Sequence, residues 1–154
     1  MTKKLDAIDR KILTELQQNG RITVVELAER VNLSKTPCAE RLKRLERDKI
    51  IQGYHADLNA NLLNQKHVMF VQVSLDKTSD NSLSKFNESV KMIPEIQSCF
   101  MVAANFDYLL QVRTIDITHF RRILGEKIGK LPGVQQTHSF VVMEEIFSSK
   151  DLVI

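Results

Sequence analysis

Thr23-Val24-Val25-Glu26-Leu27-Ala28-Glu29-Arg30-Val31-Asn32-Leu33-Ser34-Lys35-Thr36-Pro37-Cys38-Ala39-Glu40-Arg41-Leu42-Lys43-Arg44-Leu45 carries two helix starts in close succession. Thr23 and Glu26 have the spacing of a capping box, in which each side chain takes the other's backbone N–H. Ile22 and Leu27 supply the hydrophobic staple around it. This helix, with Val25, Leu27, Ala28 and Val31 on or near its inner face, is short and stops near Asn32. Ser34-Lys35-Thr36-Pro37 restarts the chain, because Ser and Thr cap well and Pro37 fits a first turn where its missing N–H costs little. A further helix then runs to about Asp48 and buries Cys38, Leu42 and Leu45. The two are joined by three or four residues, the spacing of a helix-turn-helix.

Upstream, Leu5, Ile8, Ile12, Leu13 and Leu16 fall at helical spacing, with Asp6 placed to cap the start and Gly20 to end it. The first third of the chain is thus a three-helix unit. At about 100° per residue, the side of the third helix opposite Cys38, Leu42 and Leu45 holds Thr36, Glu40, Lys43, Arg44 and Arg47. Ser34–Lys49 contains six basic and three acidic residues. Residues 1–54 hold twelve Lys/Arg against eight Asp/Glu, net +4, whereas 55–154 hold ten against eleven, net −1. The whole positive excess therefore sits where a polyanion would be met. Charge runs are usually solvated faces laced with pairs such as Glu40–Arg44. Here the surplus, the short turn and the third-helix position coincide, which favours a face that enters a DNA groove. Ser34, Thr36, Glu40, Lys43, Arg44 and Arg47 are its candidate contacts.

Ile50–Ala56 is short, extended in pattern and contains Gly53; it reads as a strand-like connector. Beyond it, His67 to Leu75 is a strand, and Leu83, Phe86, Val90 and Ile93 mark a helix ended by Pro94. Ile96–Ala103 and Phe106–Ile115 read as strands with a tight connection at Ala104-Asn105. Asp116 caps a helix bearing Phe120, Ile123, Leu124 and Ile128, stopped by Leu131-Pro132-Gly133, and a last strand runs from about Thr137 to Phe147. The order is βαββαβ, a ferredoxin-like unit, so the chain is α+β. Such a sheet carries both helices on one face, and a solvated second face should show clean apolar–polar alternation. Val68-Met69-Phe70-Val71 and Phe140-Val141-Val142-Met143 are apolar on both parities, which predicts a second copy against the uncovered face. Gly125 and Gly129 read as close helix-on-sheet contacts and Gly133 as a stop.

Enzyme chemistry finds little support. His55, His67, His119 and His138 have no HxxxH spacing and no cysteine pair beside them, and Cys38 and Cys99 are 61 residues apart. No GxSxG, GxxxxGK[ST] or GxGxxG occurs, so neither catalytic residues nor a metal site is expected. The longest apolar run, Phe100–Ala104, is far short of the about 20 residues of a membrane span. No stretch reads as a signal peptide, and the opening Met1-Thr2-Lys3-Lys4 runs straight into the first amphipathic pattern. A cytoplasmic protein with cysteines as small core fillers is expected. Asp107 lies in Asn105-Phe106-Asp107-Tyr108, at a strand-to-strand connection. It reads equally as a turn aspartate accepting backbone N–H groups and as a carboxylate that holds a ligand's ammonium.

Taken together, the chain resembles the Lrp/AsnC (feast/famine) regulators, closest to the leucine-responsive branch. The resemblance rests on Leu5-Asp6-Ala7-Ile8-Asp9-Arg10-Lys11-Ile12-Leu13, Asn19-Gly20-Arg21-Ile22, Leu33-Ser34-Lys35-Thr36-Pro37-Cys38 and Arg41-Leu42-Lys43-Arg44-Leu45-Glu46. Further matches are Ile51-Gln52-Gly53-Tyr54, Phe106-Asp107-Tyr108-Leu109-Leu110, Leu131-Pro132-Gly133-Val134 and Val141-Val142-Met143-Glu144-Glu145. It implies a DNA-binding helix-turn-helix domain at 1–50 and a linker at 51–66. It further implies an amino-acid-binding and oligomerisation domain of the RAM type at 67–154. The implied function is a sequence-specific transcription regulator of duplex DNA, associated with the nucleoid. Its binding or assembly would respond to an amino acid such as leucine or methionine, with no other cofactor. The implied assembly is a homodimer that associates into an octamer. The effector site implied by the resemblance comprises Ala103, Ala104, Asn105, Phe106 and Asp107, with Thr137 and Ser139 of the last strand. One departure stands out: the family usually has glycine where this chain has Ala104, and a backbone needing φ > 0 there would disfavour alanine. An effector-insensitive DNA-organising protein of the same family, and more remotely a ferredoxin-like amino-acid enzyme, are the alternatives.

Overall fold

The computed structural model describes residues 5–154; the reading of Met1–Lys4 lies outside the described residues. The chain divides into two compact units, one running through Asp57 and including Ser148–Ile154, the other Leu58–Phe147.

The first unit is built on α1 (Ala7–Gln18), α2 (Val24–Arg30) and α3 (Lys35–Arg47). Both α1 and α2 start in capping boxes, Asp6 with Asp9 and Thr23 with Glu26, so their first N–H groups are satisfied locally. The α2–α3 turn is closed from the other side. Asn32 takes φ 57°, its N–H donates to the Glu29 carbonyl, and the Leu33 N–H donates to the Ala28 carbonyl at 2.8 Å. This is the Schellman pattern, which stops α2 without a glycine. Ile12, Leu27, Cys38 and Leu45 form the centre of the core, all at 0–1% exposure. Ile50–Ala56 forms no strand. Its first residues continue the cap of α3, with the Ile50 and Ile51 N–H groups both donating to the Leu45 carbonyl, while their side chains join the helical core. The final residues also belong to this unit: the Gln17 amide brackets Leu152, donating to its carbonyl at 2.9 Å and accepting its N–H at 2.6 Å.

The second unit follows the order β1 (His67–Leu75), α4 (Asp80–Val90), β2 (Ile96–Met101), β3 (Tyr108–Thr114), α5 (Ile117–Glu126), a 3-10 turn (Ile128–Lys130) and β4 (Val134–Val141). The sheet order is β2-β3-β1-β4, with every neighbouring pair antiparallel. The βαββαβ expectation therefore holds. Register separates the two sheet faces. Val71 and Val73 of β1, Leu110 and Val112 of β3 and the helix residues Phe86, Phe120 and Ile123 make the core, at 0–3% exposure. The alternate residues Phe70, Leu109, Phe100 and Phe140 lie on the face without helices.

Strand limits and two glycines differ from expectation; β4 starts at Val134 rather than about Thr137. β4 ends at Val141, because Met69 of β1 is its last paired partner; Val142 makes one more bond to the Val68 carbonyl and pairing stops. β2 ends at Met101 and β3 begins at Tyr108, so the connection is a six-residue loop rather than a tight turn. Gly125 has open space where a Cβ would stand, and Gly129 lies beside the Leu124 carbonyl in the 3-10 turn, so neither makes the expected contact with the sheet. Gly133 does serve a stop: at φ 76° its carbonyl receives the Asp76 N–H at 2.8 Å.

Candidate nucleic-acid interface and effector loop

Thr36, Glu40, Lys43 and Arg47 recur every three or four residues along α3 and are all exposed. They share the side turned away from Cys38 and Leu45, which are fully buried. Ser34 stands at the N-cap, also exposed, and its hydroxyl makes no capping hydrogen bond. Arg47 has 75% of its side chain exposed and pairs with the neighbouring Asp48 at 3.4 Å. Thr36, Glu40, Lys43 and Arg47 form one polar ridge, with Ser34 exposed at the start of the helix.

Arg44 is placed differently. It lies about 60° around the helix from Arg47, and its Nη2 donates to Asp9 Oδ1 at 2.6 Å. Arg41 joins the same group, its Nη1 donating to Asp9 Oδ1 at 2.8 Å and to Asp6 Oδ2 at 2.6 Å. Asp9 is 1% exposed. Its other oxygen, Oδ2, accepts the Asp6 N–H, and Asp6 Oδ1 accepts the Asp9 N–H in return. That Asp9 N–H, and after it Arg41, hold the Asp6 carboxyl below the usual carboxylate range. A buried carboxylate is tolerable only when paired and hydrogen-bonded, and two guanidiniums meet that demand. Residue-by-residue reading of the sequence overlooked Asp9, although a signal was present. At 100° per residue it falls inside the apolar arc of Leu5, Ile12 and Leu16, where an unpaired charge would not be stable.

At the far end of α3, the Tyr54 hydroxyl donates to Glu46 Oε1 at 2.9 Å. Burial, and then the Glu46 carboxylate, push the Tyr54 phenol up to about 12.

In the sheet unit, Ala103, Ala104 and Asn105 are exposed at the tip of the β2–β3 loop, and Phe106 and Asp107 are half-buried at its base. Asp107 is well tied within the chain. Its Oδ2 accepts the Leu75 N–H at 2.7 Å, its N–H donates to the Val73 carbonyl at 2.9 Å, and its carbonyl accepts from Val102. Its carboxylate thus accepts a backbone N–H, from β1 rather than from its own turn. Oδ1 accepts no hydrogen bond among the described residues and is left for another donor. Thr137 and Ser139 of β4 stand opposite Val73 and Val71, on the helix side of the sheet. Asp107 binds Val73 from the other flank, so the loop and the β4 hydroxyls are two strand spacings apart, about 10 Å. One chain brings the loop residues together but does not close them into a ring with Thr137 and Ser139. The non-glycine residues with positive φ among those described are Asn32, Lys49 and Asn64, so Ala104 has an ordinary backbone. Alanine is not strained there.

Among the described residues no group of three or more His, Cys, Asp or Glu side chains is placed to hold a metal ion. Among the described residues no helix is long and apolar enough to cross a membrane.

Comparison with known proteins agrees with this geometry. Residues 5–52 match the winged helix-turn-helix DNA-binding model, and residues 68–152 match the Lrp/AsnC ligand binding domain. The chain is 49% identical over 152 residues to the leucine-responsive regulatory protein of Escherichia coli K12, covering 99% of this chain and 93% of the relative. A transcriptional regulator of Neisseria meningitidis, solved as an L-Met complex, superposes with a TM-score of 0.90 at 39% identity and covers 97% of both chains. An AsnC family regulator of Agrobacterium tumefaciens gives 0.91 at 32% identity, again over 97% of both.

Proposed function

The chain belongs to the Lrp/AsnC family of DNA-binding transcription regulators, and from that premise we propose how its residues divide the work. It is not an enzyme: the family regulates transcription, and the chain joins a DNA-binding helix-turn-helix to an amino-acid-binding domain. On our reading residues 1–50 bind duplex DNA, 51–66 link, and 67–154 bind the effector and drive assembly, with the last residues packed on the helices. Ser34, Thr36, Glu40, Lys43 and Arg47 make the DNA contacts, with Arg44 at their flank. The carrying observation is the exposed ridge of Thr36, Glu40, Lys43 and Arg47 on the third helix of a helix-turn-helix. Lys43 and Arg47 serve phosphates or guanine edges, and Glu40 accepts from a cytosine amino group.

The effector is an apolar amino acid, leucine or methionine by analogy with the relatives named for them. Its ammonium meets Asp107 Oδ1, the remaining free oxygen of that carboxylate, and backbone N–H groups of Ala103–Asn105 receive its carboxylate. Thr137 and Ser139 of a neighbouring chain complete the site, which needs an assembly of at least dimers and, as in the family, octamers. As a transcription regulator the protein works in the cytoplasm, on the nucleoid. The test is duplex binding across a salt series, with and without leucine or methionine. A salt-dependent affinity that shifts with one amino acid supports the reading. A DNA affinity that no amino acid alters points instead to a DNA-organising protein.

A further inference from the structure

α3 has two populations of basic residues, and α1 decides which is which. Lys43 and Arg47 face away from the protein, whereas Arg41 and Arg44 turn back onto a single buried oxygen, Asp9 Oδ1, at 2.8 and 2.6 Å. The capping box at the start of α1 aims the carboxylates: mutual bonds between Asp6 and Asp9 fix both side chains, so Asp6 Oδ2 also reaches Arg41. Arg44 nevertheless keeps 41% of its side chain in solvent at the edge of the DNA-facing ridge. It is close enough to that ridge to reach a phosphate if released.

We propose that Asp9, supported by Asp6, is a positioning residue that withholds Arg41 and Arg44 from DNA and so sets how much of α3's affinity is indifferent to sequence. The inference rests on the reading of α3 as the DNA-facing helix. Phosphate contacts add affinity without sequence information, and each one steepens the salt dependence by about 0.9 for duplex DNA. Neutralising two of the six cations of Ser34–Lys49 inside the protein therefore lowers binding to arbitrary sequence. It leaves the contacts of the ridge intact. A helix with all its arginines free would bind everywhere.

The test uses the full-length protein and a duplex of random sequence, with affinity measured across a salt series. Asn at position 9 retains an acceptor for the Asp6 N–H but carries no charge. Asp9→Asn is expected to tighten random-sequence binding and steepen the salt slope by about one unit, for Arg44, since Arg41 stays held by Asp6. The same change in an Arg41→Gln, Arg44→Gln background is expected to leave the slope alone. Arg44→Gln by itself keeps Asp9 paired with Arg41 and decides the matter even if Asp9→Asn does not fold. An unchanged slope supports withholding, and a slope flattened by about one overturns it. A folded Asp9→Asn protein with wild-type slope also overturns it. Lys43→Gln and Arg47→Gln serve as the reference. If neither flattens the slope, it is the assignment of the DNA face that fails, whatever Asp9 does.

Discussion

Phe70 of β1 stands directly opposite Phe140 of β4, on the face of the sheet that carries no helix. Phe140 is 51% exposed, and Phe100 on the same face 54%. Val71, one residue along β1, is fully buried against the helices. Neighbouring positions in one strand thus belong to different environments, and a carboxylate at each should fail differently. Phe140→Glu is expected to leave the chain folded and shift it to monomer in light scattering. Val71→Glu puts an unpaired charge into the core and should prevent folding altogether. A Phe140→Glu protein that still associates would remove this face as the interface.

Arg47 on the α3 ridge keeps 75% of its side chain in solvent, and Asp48, at 3.4 Å, holds it weakly. Arg47→Ala should cost about 1–3 kcal/mol of specific binding if the guanidinium reads a guanine bidentately. As a phosphate contact it would instead flatten the salt slope by about one unit on every duplex. Titrations on a regulated promoter fragment and on random duplex separate the two.

Asp107 has one oxygen in the fold and one outside it, so two substitutions dissect its roles. Asn keeps an acceptor for the Leu75 N–H, 2.7 Å away, and loses the charge. Asp107→Asn should therefore stay folded, bind random duplex as wild type does, and lose leucine or methionine affinity in calorimetry. Asp107→Ala leaves the Leu75 N–H without its partner and should lower stability by about 1–3 kcal/mol. Equal amino-acid affinity in the Asp107→Asn protein would remove Asp107 from the effector site.

Tyr54 gives a pH signature. Its phenol is raised by burial and by Glu46 to about 12, above the value near 10 of an unfolded chain. Between those values the unfolded state has lost its proton and the folded state retains it. The contribution is present in full below about pH 10 and is lost as pH rises toward 12. Denaturant unfolding should show a fall in stability over that window that shrinks in Tyr54→Phe. An identical pH profile in the two proteins would show that the fold does not raise the Tyr54 phenol.

Much of this architecture could be read without coordinates. The Thr23–Glu26 capping box, the Ser34 start of α3, Asp116 before α5 and the βαββαβ order are local or periodic features, and each appears where the spacing places it. They depend on neighbours within a turn or on a repeat of apolar residues, so the linear chain contains all their information. The extent of β4 does not. Val142–Phe147 has strand-like composition, but its ladder with β1 ends at Met69–Val141 apart from one bond from the Val142 N–H to the Val68 carbonyl, and a strand lasts only as long as its ladder. The sorting of Val71 from Phe70 needed the same register. Arg44 shows the limit most clearly. Helical periodicity alone placed it beside Arg47 on the outward face, and 100° per residue cannot see a carboxylate 35 residues away. Only the fold brought Asp9 beneath α3, where a buried charge must find a cation. The sequence by itself determined which helix carries the outward basic ridge. Tertiary packing decided which of that helix's arginines stay in solvent and which are tied to Asp9.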